Sequence, residues 1–189
     1  MRFLLRVGCV VLLLLPGCAH SETSGVLSVG VIGGGGTSVS DSYSPVTFGS
    51  YVPCVQNGAA EVKITKVGYR EHNLAPAANV KVFKRVVSGD KMESTIGTAR
   101  GMLPNLKDTD LSGEISEDVE GTIVTQSCEE KDSQNFTEIL FSIESGQGGT
   151  HVTEVYFEYE LHGKSYVLEV PHELVFCGEK TKEHDMCRD

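Results

Sequence analysis

The chain has 189 residues, with 26 acidic side chains against 16 basic ones and a formal charge of −10. That balance argues against nucleic acid or an anionic lipid surface as the main partner, because both reward clustered Lys and Arg. About 130 residues of strand-like pattern are enough for one core, so a single domain is expected.

Residues 1–17 read as an export signal. Arg2 and Arg6 precede an apolar run over 7–15 that is broken only by Gly8 and Cys9. Such a run is too short to span a bilayer. Leu15-Pro16-Gly17-Cys18 follows. This tetrapeptide resembles the lipobox of bacterial lipoproteins, where a Leu three places before an obligatory Cys is followed by small residues; Pro16 departs from that pattern. The resemblance implies that Cys18 becomes the first mature residue and carries a diacylglyceryl group and palmitate. Each buried methylene contributes about 0.8 kcal/mol, so several acyl chains would hold the domain on the cell membrane, facing outside the cytoplasm. The alternative is ordinary cleavage after Ala19, which releases a secreted soluble protein. Loss of Arg2 and Arg6 leaves 14 basic against 26 acidic residues, a balance of −12.

Residues 18–45 form a Gly/Ser-rich stretch containing Gly33-Gly34-Gly35-Gly36, a composition expected of a flexible tether. Val26, Leu27, Val29, Val31 and Ile32 could add an edge strand within it. No Gly-Lys-Ser/Thr follows the glycines, so they do not form a phosphate loop. The domain proper is expected over 46–189.

Strand patterns begin at Val46. The run 46–55 ends before Asn57-Gly58, a strong turn signal. In 61–69 the apolar residues change phase, Val62 and Ile64 against Val67 and Tyr69, which predicts a bulge near Thr65-Lys66. Strands are also expected over 79–87, 120–128 and 136–144. The run 155–170 reads as a hairpin turning at His162-Gly163. That turn sets Tyr159 against Tyr166, Phe157 against Leu168 and Val155 against Val170, all on one apolar face. Pro171 should end this pairing, and Leu174, Val175 and Phe176 make a last short strand. About seven or eight short strands without helical periodicity predict an all-β, antiparallel, immunoglobulin-like β-sandwich; a small barrel is the alternative. Lipobox, tether and a β-domain ending in an apolar-Phe-Cys run together resemble small actinobacterial-type lipoproteins, a resemblance that implies no particular activity.

Cys54, Cys128, Cys177 and Cys187 are an even set in an exported chain, so two disulfides are expected. Three pairings are possible. Cys54 and Cys177 both end apolar runs, which favours Cys54–Cys177 with Cys128–Cys187.

The connection 88–118 is long enough to carry function. Within it, Asp108, Asp110, Ser112, Gly113, Glu114 and Ile115 resemble the start of an EF-hand calcium loop, with Asp118 and Glu120 flanking Val119 at the twelfth position. Oxygen ligands on alternate residues can converge on a cation while the glycine turns the chain. Calcium is therefore a possible cofactor, set against an ordinary acidic turn. Of the six histidines, only His184 lies at ligand spacing from a cysteine, Cys187, and an oxidised cysteine cannot ligate. Neither Gly-x-Ser-x-Gly nor His-Glu-x-x-His occurs, so no catalytic residues are assigned and an enzyme is not expected. Glu158 and Glu160 share the wet face of the hairpin, where paired carboxylates ordinarily serve solubility. The expected function is a membrane-tethered extracytoplasmic binding or structural module for an unknown partner. The alternatives are a calcium-responsive domain and, more remotely, an envelope enzyme.

Overall fold

The computed structural model describes residues 25–30, 35–56, 61–88, 94–107, 109, 111–130 and 135–188. The signal segment, Cys18 and the two acidic residues Asp108 and Asp110 lie outside this set. The described chain forms a β-sandwich of thirteen strands: β1 (Leu27–Gly30), β2 (Gly35–Ser40), β3 (Val46–Val55), β4 (Val62–Glu71), β5 (Asn79–Val87), β6 (Thr98–Met102), β7 (Asn105–Lys107), β8 (Glu114–Ser116), β9 (Ile123–Val124), β10 (Phe136–Glu144), β11 (Thr150–Leu161), β12 (Lys164–Val170) and β13 (His172–Cys177). The first sheet runs β7-β6-β3-β10-β5-β8, with β1 added to β3. The second runs β2-β13-β11-β4-β9, with β12 added to β11. All pairs are antiparallel except β2–β13.

The inward side chains of both sheets meet in one core. Tyr51, Ile139 and Phe141 come from the first sheet, and Ile64, Val155, Phe157 and Phe176 from the second; all are buried. Phe48 and Phe176 cross this interface edge to face at 5.7 Å, the geometry in which one ring's positive edge meets the other's negative face.

The hairpin has the expected register, Leu161 opposite Lys164 through to Val155 opposite Val170. Its turn holds His162 and Gly163 at φ of 51° and 75°, both positive as a tight two-residue loop on twisted strands requires. The bulge in β4 is also present: Glu158 pairs with Lys66 but Tyr159 pairs with Ile64, leaving Thr65 as the extra residue.

Four expectations are corrected. Residues 27–30 and 35–40 are not a free tether, because β1 extends the β3 edge, Leu27 enters the core and β2 pairs with β13; the domain begins before Val46. The strand expected over 120–128 is reduced to Ile123–Val124. Beyond it the chain turns toward β3, where Val55 N–H donates to the Gln126 carbonyl. Pro171 does not end the hairpin. It interrupts it: Val155 opposes Val170 while Val152 opposes Leu174, so pairing resumes with one extra residue on the proline side. A proline cannot donate to the ladder, and a bulge is where a strand accommodates one.

The fourth correction concerns the disulfides, which join Cys54 to Cys128 and Cys177 to Cys187. Cys54 and Cys177 both end strands, as read from sequence, but those strands lie in different sheets. The bridge between Val55 and Ser127 brings Cys128 beside Cys54, and a series of turns returns Cys187 to the end of β13.

Candidate functional site

The two sheets differ in what covers their outer faces. In the first sheet, Phe83 and Leu140 point away from the main core yet are buried, with Ile96, Leu103, Leu106, Leu111 and Ile115 packed over them. These covering residues come from the long connection, whose described part supplies β6 and β7 at one edge of the first sheet and β8 at the other, and whose apolar side chains form an outer layer over Phe83 and Leu140.

A buried ion pair fastens that layer. Arg85 on β5 and Glu138 on β10 meet at 2.8 Å, with side chains 1% and 0% exposed. Glu138 also accepts from the backbone N–H of Ser50 at 2.7 Å and of Ile96 at 3.0 Å. Arg85 donates to the carbonyls of Ser112 at 2.8 Å and Ser94 at 3.1 Å. Burial raises the Glu138 carboxyl above the usual value, against the downward pull of the Ser50 N–H, Arg85 and Ile96 N–H. The approach requires a glycine at position 49, where a Cβ would collide with the Ile96 carbonyl and Glu138 Oε1.

Of the suggested calcium ligands, the described ones, Ser112, Glu114 and Asp118, lie on and around β8. Ser112 turns its carbonyl to Arg85, Glu114 is an exposed member of β8, and Asp118 is exposed beyond it. Gly113 has φ of 95°, the sharp turn its position demands.

The outer face of the second sheet is open and charged. Arg70 bridges Glu154 and Glu169 at 2.8 Å each, and Lys66 meets Glu158 at 3.2 Å. Tyr156 lies beneath both cations, 5.4 Å from Lys66 Nζ and 5.9 Å from the Arg70 guanidinium. Glu160 is exposed nearer the hairpin tip. Glu158 and Glu160 are thus on one wet face, as expected, and Glu158 is paired across the sheet.

At the base of this face, three residues from separate elements converge. His151 on β11, Glu173 on β13 and His184 in the closing turns each present a ligand atom within 4.8 Å of the other two. Nε2 of His151 is 3.6 Å from Glu173 Oε1, and Nε2 of His184 is 3.4 Å from Oε2. His72 stacks on His151 at 5.8 Å, and the rings of His151 and His184 meet at 4.6 Å. Burial, and the nearby His184, lower the His151 pKa, with Glu173 pulling the other way.

Sequence spacing could not have grouped these three. The hairpin register extended unbroken past Pro171 would set His151 opposite Leu174 and place Glu173 on the opposite face. The extra residue at Pro171 makes Val175 the partner of His151, and a one-residue slip exchanges the faces of a strand. His184 arrives only through the Cys177–Cys187 closure.

Four surface depressions of the described residues measure about 200 to 320 Å³, at or below the small end of small-molecule sites. No helix of the described residues is long and apolar enough to cross a membrane. No protein-family model matches the chain, and no curated protein or solved structure matches it.

Proposed function

We propose that the chain is an exported binding module, tethered to the membrane through Cys18, that presents the open face of its second sheet to a partner outside the cytoplasm. The observation that carries this reading is the asymmetry of the two outer faces. One is covered by Ile96, Leu103, Leu106, Leu111 and Ile115 over Phe83 and Leu140, and the other carries an open network of ion pairs around Arg70, Tyr156 and Glu158. A rigid sandwich with one free face suits recognition, and the acidic balance of the whole chain favours a partner rich in Lys and Arg. The two disulfides support export, since such bonds persist in oxidising compartments.

Two experiments test it. A photo-crosslinking residue in place of Glu160 should capture a partner in intact cells, and one in place of Lys107 on the covered side should not; the reverse pattern would overturn the choice of face. Cys18→Ala should move the chain from the membrane to the soluble fraction. A variant that stays membrane-bound and normally processed would remove the tether.

A further inference from the structure

We propose that His151, Glu173 and His184 form a binding site for a transition-metal dication of the zinc type, separate from the partner-binding role and independent of the tether. The donor set is two imidazoles and one carboxylate, which suits zinc, nickel or copper and not the all-oxygen preference of calcium or magnesium.

The spacing fits a small tetrahedral ion. Zinc lies about 2.0 to 2.1 Å from nitrogen and oxygen ligands, which places neighbouring ligand atoms roughly 3.3 Å apart. The two imidazole-to-carboxylate distances are 3.6 and 3.4 Å, one to each carboxylate oxygen. All three ligand atoms lie within 4.8 Å of one another, so side-chain rotation must draw the set inward onto a common centre.

His151 is the strongest single indication. Its Nε2 is buried and makes no close hydrogen bond, the Glu173 carboxylate standing off at 3.6 Å, a condition that a buried polar atom ordinarily avoids. The site remains reachable, with the Glu173 side chain 38% and that of His184 20% exposed.

The scaffold holds the ligands in advance. His151 and Glu173 sit on paired strands. His184 is fastened by the Cys177–Cys187 bridge and by its N–H donating to the Thr181 carbonyl at 2.9 Å. One contact opposes loading: Met186 N–H donates to His184 Nδ1 at 3.2 Å, which leaves the proton of the neutral ring on Nε2. Metal at Nε2 shifts that proton to Nδ1 and releases the Met186 bond. One neutral hydrogen bond is worth roughly tenfold in affinity or less, which sets the size of the cost that the three ligands must offset.

The test is calorimetric titration of the purified full chain, disulfides oxidised, with zinc chloride at pH 7.5. One ion should bind, and calcium should not compete. Glu173→Gln and His184→Gln should each weaken binding at least tenfold, and His162→Gln at the hairpin tip should not change it. Circular dichroism without metal verifies that each variant is folded. Absence of zinc binding at 100 µM (a ceiling well above the range of built zinc sites) would overturn the proposal. So would binding that survives both Glu173→Gln and His184→Gln, since the ion would then lie elsewhere.

Discussion

At the scale of single residues, two buried polar groups dominate. Arg85 and Glu138 hold a charge pair where water cannot reach. Such a pair adds little net stability over apolar residues of the same volume, but stranding one partner is costly. Glu138→Ala should therefore destabilise the domain by about 3 to 5 kcal/mol in urea denaturation, and Arg85→Met added to it should recover part of the loss. A cost under about 1 kcal/mol would mean that water solvates the stranded arginine. His172 is the second group. It is buried against the core, with Nδ1 2.9 Å from the Tyr51 hydroxyl and Nε2 3.4 Å from Thr37 Oγ1, and burial holds its pKa below the ordinary 6.5. Because the folded value is the lower one, the neutral ring contributes stability above pH 6.5 that is lost as pH falls through the folded value. One such group adds a slope of at most about 1.4 kcal/mol per pH unit. Melting temperature followed from pH 7 to pH 5 should fall less steeply in His172→Gln than in the parent chain, while Glu138 titrates alike in both. Equal slopes would show that His172 protonates without penalty.

Among the elements, the β11–β12 hairpin was legible in the sequence because its alternation and its turn agree. Only one register buries Phe157 and Tyr159 while leaving Glu158 and Glu160 wet, and Gly163 tolerates the required φ. Open space surrounds Gly163, so a Gly163→Ala change costs backbone strain alone, about 1 kcal/mol. A corresponding drop in melting temperature should follow, and His162→Asn should raise it slightly, since Asn accepts positive φ more readily. A neutral Gly163→Ala would contradict the turn geometry. The Thr65 bulge was legible too, as a change of apolar phase within one strand. The slip at Pro171 was not, because a proline in a strand can end it, kink it or sit in a bulge, and only pairing with β11 decides which. The short strands β6, β7 and β8 of the long connection were not legible for a related reason. Ile96, Leu103, Leu106, Leu111 and Ile115 follow no strand or helix period, yet all cover one patch on the first sheet.

For the whole molecule, the two disulfides close loops of different length, 74 and 10 residues in sequence separation. Chain entropy predicts a loss of about 4 kcal/mol for Cys54→Ser with Cys128→Ser, and about 3 kcal/mol for Cys177→Ser with Cys187→Ser. Denaturation of the two double variants should rank them in that order; the opposite order would mean that native contacts around the short loop outweigh entropy. The sequence by itself determined what depends on neighbours along the chain: an all-β sandwich, the strands over 79–87 and 136–144, the hairpin register and its turn. Alternation and turn chemistry are local, and they report directly on which side of a strand is dry. Tertiary structure alone decided the cysteine pairing, the covering of one outer face, the latch of Arg85 with Glu138, and the meeting of His151, Glu173 and His184. Each of these joins residues on separate strands or turns, and their contact depends on strand order, on a one-residue slip and on where a closing turn comes to rest. Sequence periodicity carries none of that, because packing between elements is settled by the fit of whole surfaces and not by any single stretch of chain.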